Sequence, residues 1–248
     1  MYVHVEHKIY TPPCIISSLL SKDLSRVDRI SRSIALRTYI NYISRLSIEE
    51  LWNLIDKVTG GLGYTREDRD FVRVIMAGCI IAWPEAIDDG DKALEIGTGL
   101  GRTIYCVLES TSPSNILTID VSSEILSIAL YRNPYPFFQN RLWDHRVNIV
   151  HGDAVEIVDI LHRIGMKFNH IIHDGGPNPG KNPRLYTKEF LEKLVKLLEP
   201  KGSITIFAGR KPAIVSRIYN TLKQIGIKPK THAFPYTPVR VIHGKKIY

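Results

Sequence analysis

The feature that most constrains this chain is a change in its hydrophobic pattern at Lys92. From there on, short apolar runs alternate with amphipathic stretches, a pattern that predicts strands alternating with helices. The predicted strands lie near 92–96, 115–120, 147–151, 168–173 and 203–207, and the predicted helices near 102–110, 122–131, 154–163, 187–198 and 213–225. Strands joined through helices pair in parallel, so we predict an α/β fold with a mostly parallel central sheet and helices on both faces. Two further strands within 228–247 are predicted to form a C-terminal antiparallel hairpin.

The first 90 residues have a different, mostly helical pattern. The stretch Ser47–Glu50 has the spacing of a capping box and predicts the start of a helix that ends at Gly60. Residues 88–91 form a cluster of turn residues. We therefore expect a helical N-terminal segment at 1–90 and an α/β domain at 91–248.

A glycine-rich loop within Leu94–Gly101 follows the first strand of the predicted sheet and opens the next helix. Its glycines, Gly97, Gly99 and Gly101, have the spacing GxGxG. In a dinucleotide-binding fingerprint the third glycine would fall at Arg102, so this loop departs from that type. Glycine leaves room for a ligand to lie against the backbone, and the sequence therefore predicts a ligand at this loop.

Three acidic residues stand where predicted strands end. Asp120 ends the second strand, 23 residues after Gly97, near the spacing at which a carboxylate binds ribose hydroxyls. Asp153 follows the third strand and Asp174 follows the fourth. Because the carboxyl ends of parallel strands meet at one edge of a sheet, we expect these acids beside the glycine loop. Each could instead cap the element that follows it.

The loop and the acids together resemble the class I S-adenosylmethionine-dependent methyltransferases, whose first motif matches Glu95–Gly101. The resemblance implies a Rossmann-like methyltransferase fold and a loop that holds no pyrophosphate. It implies that Asp120 binds the ribose and Asp153 the adenine amino group of S-adenosyl-L-methionine. The residues expected to bind this cofactor are Glu95, Gly97, Thr98, Gly99, Gly101, Asp120, Val121, Gly152, Asp153, Ala154 and Asp174.

A second resemblance lies downstream of the fourth strand. The stretch from Asp174 through Pro179-Gly180 to Arg184–Phe190 is similar to the spermidine synthase family. It resembles still more a group of archaeal predicted methyltransferases related to those synthases. That group also has an Asn-Pro pair, here Asn133-Pro134, ahead of a Gly-Asp-Ala triplet, here Gly152–Ala154. This resemblance covers roughly 92–209.

Two details depart from these families. The synthases have a second acid shortly after the one that matches Asp174, which helps to hold a cationic amine, whereas this chain has Gly176, Pro177 and Asn178 there. The archaeal group tends to have Asp-Pro-Pro where this chain has Asp174-Gly175-Gly176. We therefore expect the acceptor side of the site to differ from those of both groups.

From these resemblances we expect an enzyme that transfers the methyl group of S-adenosylmethionine. Asp174 is the candidate catalytic residue, and three roles stay open for it: orienting the acceptor, accepting its proton, or balancing the sulfonium charge. The alternative is an aminopropyltransferase of the spermidine synthase type that uses decarboxylated S-adenosylmethionine. A non-catalytic binding module with the same fold is the third hypothesis.

Charge is unevenly distributed along the chain, whose formal net charge is +8. Residues 201–248 contain 10 Lys and Arg and no acidic residue, whereas residues 1–90 contain 11 basic and 12 acidic residues. A basic stretch of this kind suggests nucleic acid or another anionic substrate, although it could also be a solvated basic face. It argues against a cationic acceptor. The sequence identifies neither the methyl acceptor nor the oligomeric state.

Several site types are not expected. Cys14, Cys79 and Cys106 are far apart and form no disulfide framework. No apolar run reaches the ~18–20 residues that a membrane span needs, and no cluster has the spacing of metal ligands. We therefore expect a cytoplasmic enzyme with no membrane association and no metal.

Overall fold

The fold is built around an eight-stranded sheet within the part of the chain that the computed structural model describes, which is residues 9–10, 40–60, 64, 69–176, 178–235 and 237–248. The strands are β1 (Ile9–Tyr10), β2 (Lys92–Ile96), β3 (Asn115–Asp120), β4 (Val147–His151), β5 (Phe168–His173), β6 (Leu198–Gly209), β7 (Ile227–Ala233) and β8 (Arg240–Lys246). Their order in the sheet is β1-β4-β3-β2-β5-β6-β8-β7. Strands β1 to β6 pair in parallel, while β8 is antiparallel to both β6 and β7. The predicted mostly parallel sheet with a C-terminal antiparallel hairpin is confirmed.

Helices cover both faces of the sheet, as predicted. They are α1 (Ile48–Thr59), α2 (Phe71–Ala82), α3 (Arg102–Ser110), α4 (Ser123–Tyr131), α5 (Pro136–Leu142), α6 (Ala154–Arg163), α7 (Lys188–Leu197) and α8 (Pro212–Gln224), with short 3-10 turns at Pro84–Ala86 and Pro183–Tyr186. Successive side chains of a strand point to opposite faces, so Ala93 belongs to one apolar cluster and Leu94 to the other. The first cluster packs α1 to α5 against the sheet and the second packs α6 to α8.

The sequence predicted the first four parallel strands of the α/β region within their observed bounds but missed three features. Helix α5 was not predicted, because seven residues offer too little periodicity to recognise. Strand β6 begins at Leu198 rather than near 203, and it continues through Lys201, which has a positive φ of 64°. Strand β1 adds a strand within the predicted helical segment.

The N-terminal segment is described in part. Ser47 caps α1 as predicted: its hydroxyl accepts from the Glu50 amide at 3.2 Å, and the Glu50 carboxylate accepts from the Ser47 amide at 2.6 Å. Cys14 and the remainder of residues 11–39 lie outside the described residues. The division of the chain at residue 90 stays a prediction. No helix in the described ranges has the length and apolar character needed to cross a bilayer.

Helix α2 is tied to the sheet by two buried histidines. His170 on β5 donates through Nε2 to the Ala82 carbonyl at 3.0 Å, and His243 on β8 donates to the Ile80 carbonyl at 2.8 Å. Gly78 lets α2 lie close to α3, because a Cβ there would meet the Arg102 carbonyl oxygen at 2.9 Å. Burial lowers the pKa of His170 to about 3 and that of His243 to about 4. Both rings are therefore neutral in the folded protein at pH 7.

We expect the free energy of unfolding of the His170→Gln variant to decrease less on acidification than that of wild type. The unfolded chain takes up a proton on His170 near pH 6.5 and the folded chain only near pH 3, so stability falls as pH decreases between these values. This one group contributes about 1.4 kcal/mol per pH unit to that slope. Urea unfolding at pH 7 and pH 5 measures it. The same substitution at His145, whose side chain is 90% exposed, is the control. An identical acid slope in wild type and H170Q would contradict the prediction.

Candidate active site

A cavity of about 710 Å³ opens at the carboxyl edge of the sheet, where β2, β3, β5 and β6 end. Strand β2 lies between β3 and β5. After β2 the chain forms β3 and β4 on one side of it, and it then crosses over to form β5 and β6 on the other side. Open α/β sheets bind their ligands at such a switch point. Six predicted cofactor residues line the cavity: Gly97, Thr98, Gly99, Asp120, Val121 and Asp174. Five others do not line it: Glu95, Gly101, Gly152, Asp153 and Ala154.

Gly97 is the residue directly after β2, at this switch point. Its amide donates to the Ile119 carbonyl of β3 at 2.8 Å, while the amide of Asp174 donates to the Ile96 carbonyl of β2 at 2.9 Å. Gly97 has a φ of 95°, and a Cβ there would lie 2.6 Å from the Asp174 carbonyl oxygen. No other residue type fits this position, because it has both a left-handed conformation and a backbone in contact.

The rest of the glycine loop is held from three sides. The Gly99 amide donates to Asp120 Oδ2 at 3.0 Å. The Leu100 amide donates to the Tyr64 hydroxyl at 3.2 Å, and the Leu100 carbonyl accepts from Asn133 Nδ2 at 2.8 Å. Sequence reasoning missed Tyr64 as a site residue and used Asn133 only as part of a family resemblance. The buried position of Asn133 depends on contacts 33 residues apart, which no local pattern reveals.

Asp120 lies where a ribose-binding carboxylate is expected. Its Oδ2 accepts from Gly99 and its Oδ1 accepts from the Ser122 amide at 2.9 Å. Burial raises the pKa of Asp120, and the backbone donors oppose this rise. A carboxylate oxygen has two lone pairs, so both oxygens can still accept hydroxyl groups from the cavity. Ribose binding by Asp120 stays a prediction.

Glu95 is fully buried behind the loop. Its carboxylate accepts from the hydroxyls of Thr103 and Thr118, and the Thr118 hydroxyl lies 2.7 Å from that of Thr98. Burial raises the pKa of Glu95 to about 8. Through these threonines Glu95 connects β3 and α3 behind the loop. Direct contact between Glu95 and a cofactor stays a prediction.

Both oxygens of the Asp153 carboxylate have partners within the protein. One oxygen accepts from the Val155 amide at 2.9 Å and caps α6, and the other pairs with Arg184. The cap is the alternative that the sequence left open. Adenine recognition by Asp153, with Gly152 and Ala154 beside it, stays a prediction.

Asp174 is paired with a residue that sequence reasoning missed. Arg102 Nη2 donates to Asp174 Oδ2 at 3.1 Å, and the two side chains are only 11% and 15% exposed. Burial raises the pKa of Asp174, and the guanidinium partly offsets this. Arg102 is the first residue of α3, where the helix dipole disfavours a cation. An arginine directly after a glycine loop could have indicated a fixed acidic partner.

His173 precedes Asp174 and supports the loop that follows. Its Nε2 donates to the Leu185 carbonyl at 2.7 Å, and its Nδ1 accepts from the Gly175 amide at 3.3 Å. Burial lowers the pKa of His173 to about 4. Because both nitrogens are bonded to the backbone, this ring is a positioning group and has no free nitrogen for chemistry.

The cavity wall opposite the sheet comes from the N-terminal segment. Val58 and Gly60 at the end of α1, and Arg73 and Ala77 of α2, line it. Its charged lining is mostly basic among the described residues: Arg73, Arg102, Lys181, Arg210 and Lys211 against Asp120 and Asp174. Within the described ranges, no group of His, Cys, Asp and Glu side chains could hold a metal ion.

We expect Gly97→Ala to unfold the edge of the sheet and abolish ligand binding. The new Cβ meets the Asp174 backbone, which adds about 1–3 kcal/mol of overpacking to about 1–2 kcal/mol of left-handed strain. Gly165→Ala is the control for strain alone, because Gly165 has a φ of 71° and no atom within 4 Å of the new Cβ. Gly176→Ala is the control for cavity position, with its nearest atom at 3.9 Å. Thermal unfolding of all three variants measures the difference, and equal stability of G97A and G165A would refute the account.

Residues 79–243, about two thirds of the chain, match the family described as "Spermine/spermidine synthase domain". This range contains the glycine loop, Asp120, Asp174 and the whole parallel sheet from β2 to β6.

Several similar proteins are named polyamine aminopropyltransferases. "Polyamine aminopropyltransferase 2" of Hyperthermus butylicus is 29% identical over 160 residues, which are 62% of this chain and 50% of that protein. The polyamine aminopropyltransferase of Saccharolobus solfataricus is 31% identical over 141 residues, 54% of this chain and 45% of that protein. The chain thus spans about half the length of the curated relatives that it matches. The crystal structure of spermidine synthase from Thermotoga maritima has a TM-score of 0.57 and 18% identity, covers 69% of this chain and 60% of that one, and shows the same fold.

These findings correct the expected chemistry. Methyl transfer, the methyltransferase class and S-adenosylmethionine as the cofactor are contradicted, because the relatives are named aminopropyltransferases. The aminopropyltransferase alternative is better supported. The error has a physical reason: the glycine loop and Asp120 are expected to contact the adenosine half of the donor, and that half is common to both reactions. The spermidine synthase resemblance is confirmed, since the matched range of about two thirds of its length shows that this chain belongs to the spermine/spermidine synthase family.

Proposed function

We propose that this chain transfers an aminopropyl group from decarboxylated S-adenosylmethionine to an amine. The observation that carries the proposal is that the synthase-domain match contains most of the residues lining the cavity at the switch point, Gly97, Asp120 and Asp174 among them. The cavity volume lies in the range of small-molecule sites. The names of the relatives support the kind of group transferred.

The donor would lie along the carboxyl edge of the sheet. Asp120 at the end of β3 would hold the ribose hydroxyls, and the backbone of Gly97 and Gly99 would lie against the adenosine half of the donor, close to the sulfonium. The sulfonium would then face the end of β5, where Asp174 stands. Tyr64 and Asn133 would keep the loop in the conformation that this requires.

The reaction is a single displacement at carbon. The acceptor nitrogen uses its lone pair to bond the aminopropyl carbon next to sulfur, and the carbon–sulfur bond breaks with its electron pair going to sulfur. The products are a neutral methylthioadenosine and a secondary ammonium, which releases a proton. The protein accelerates such a step mainly by holding the nitrogen in line with the breaking bond.

Asp174 is the group that would handle the acceptor's proton. The acceptor amine must be unprotonated to attack, and a carboxylate at the end of β5 can take its proton. Arg102 engages only Oδ2 of Asp174 and so fixes the carboxylate without using both oxygens. Burial raises the pKa of Asp174 and so improves its match to a proton acceptor.

The test is release of methylthioadenosine from decarboxylated S-adenosylmethionine, followed by chromatography with a panel of primary amines. We expect turnover in wild type and a loss of kcat of about 10²–10⁴-fold in Asp174→Asn, with little change in the donor KM. Glu156→Gln, on an exposed position of α6, is the matched control and should behave as wild type. Donor binding without methylthioadenosine release for any amine would refute the proposed function. Full kcat in a folded D174N would remove Asp174 from the proton-transfer step.

The nucleic-acid partner suggested by the basic C-terminal third remains a prediction. The basic residues of that third do not share one site: Arg210 and Lys211 line the cavity, whereas Arg217 and Lys223 are exposed on α8 outside it.

A further inference from the structure

We propose that the acceptor is a primary amine that also has an anionic group, such as an amino acid with a terminal amine. This proposal rests on the proposed function, because it names the acceptor class for the same cavity. It differs from the dications and higher polycations that the names of the relatives indicate.

The cavity has two ends because of the order of its strands. Asp120 ends β3 and Val121 follows it on one side of β2, whereas Lys181, Arg210 and Lys211 lie beyond β5 and β6 on the other side. The donor's ribose belongs at the Asp120 end. The acceptor must therefore enter from the β5–β6 end, with Asp174 between the two.

The charge at the acceptor end is positive. Arg210 and Lys211 follow β6 directly and precede the 13-residue helix α8, whose amino end adds a partial positive charge. Lys181 lies in the loop after β5, and its Nζ is 3.5 Å from the Gly60 carbonyl oxygen. Among the described lining residues of this end, none is acidic apart from Asp174. A dication would meet three cations here, and like charges disfavour such a ligand.

Two side chains at this end could attract a cation, Asp174 and Asn178, and an oxygen atom of each already has a partner. Asp174 already has the Arg102 guanidinium at 3.1 Å. The Asn178 side-chain oxygen accepts from the Gly180 amide at 2.9 Å and from the Lys181 amide at 3.0 Å. Both lone pairs of that oxygen are thus used by the loop, and its NH₂ group remains as a donor. A donor amide beside three cations suits a carboxylate or phosphate.

The test compares amines of equal length and opposite charge. Putrescine and γ-aminobutyrate are equally long: both have an amine followed by three methylene groups, and they then end in an aminomethyl group or in a carboxylate. With full-length protein and decarboxylated S-adenosylmethionine, methylthioadenosine release gives kcat/KM for each. We expect kcat/KM for γ-aminobutyrate to exceed that for putrescine by about tenfold or more. The same comparison applies to its shorter and longer homologues, each against the diamine of matched length.

The residues responsible are tested by neutralising them. Arg210→Gln with Lys211→Gln should raise the KM for the amino acid about fivefold to tenfold, leave kcat near wild type and flatten the salt dependence of KM. Arg217→Gln with Lys223→Gln removes the same charge from α8 outside the cavity lining and is the control. A structural role of the pair would lower stability in a thermal melt without altering the preference between the two acceptors.

The outcomes separate the two proposals. Turnover with diamines but with none of the amino acids overturns the anionic acceptor and leaves aminopropyl transfer intact. Turnover with neither class refutes aminopropyl transfer. In that case equilibrium dialysis of the same pairs, in the presence of methylthioadenosine, still decides the acceptor class. Binding of γ-aminobutyrate that R210Q/K211Q weakens supports the proposal, whereas stronger binding of putrescine, or no binding of any amino acid, overturns it.

Discussion

The close contact between Gly97 and the backbone of Asp174 is the constraint on which the site depends. The contact lies between the ends of β2 and β5, at the switch point of the sheet. Gly97 also bonds to β3 there, because its amide donates to the Ile119 carbonyl. A side chain at this position would meet the Asp174 backbone and distort the edge of the sheet at which the cavity opens. The cavity is therefore a consequence of how three strands meet, and the side chains that line it only specify what it holds.

Two polar side chains behind the loop, Glu95 and His173, are buried and have all their hydrogen-bond partners within the protein. Glu95 bonds to two threonine hydroxyls, and His173 bonds to the backbone on both ring nitrogens. Their pKa values move in opposite directions, with that of Glu95 raised to about 8 and that of His173 lowered to about 4 by burial. Burial thus favours the uncharged form of both groups. Arg102 and Asp174, which line the cavity, form an ion pair.

The sequence predicted what depends on neighbours along the chain. Strand bounds from β2 to β5 and the capping box at Ser47 were read from local patterns and are confirmed. The partners of site residues were not readable, because they lie far away in sequence: Arg102 pairs with Asp174 across 72 residues, and Asp153 pairs with Arg184 across 31. Such pairs decide whether an acid faces the cavity or braces the fold. They are fixed by the order of strands, which hydrophobic periodicity does not give.

The incorrect methyltransferase prediction has the same origin. The motifs that resemble those of the methyltransferases lie at the ends of β2, β3 and β4, which are the strands expected to hold the adenosine half of the donor. The residues that we expect to select the acceptor lie at the ends of β5 and β6, where this chain has Gly176 and Asn178 and the basic pair Arg210 and Lys211. A fold that recognises one half of a donor strongly and leaves the other half to loops can change reaction and acceptor without changing its recognisable motif. The chemistry of such chains must therefore be read from the charge and hydrogen-bonding capacity of the β5–β6 end, rather than from the glycine loop.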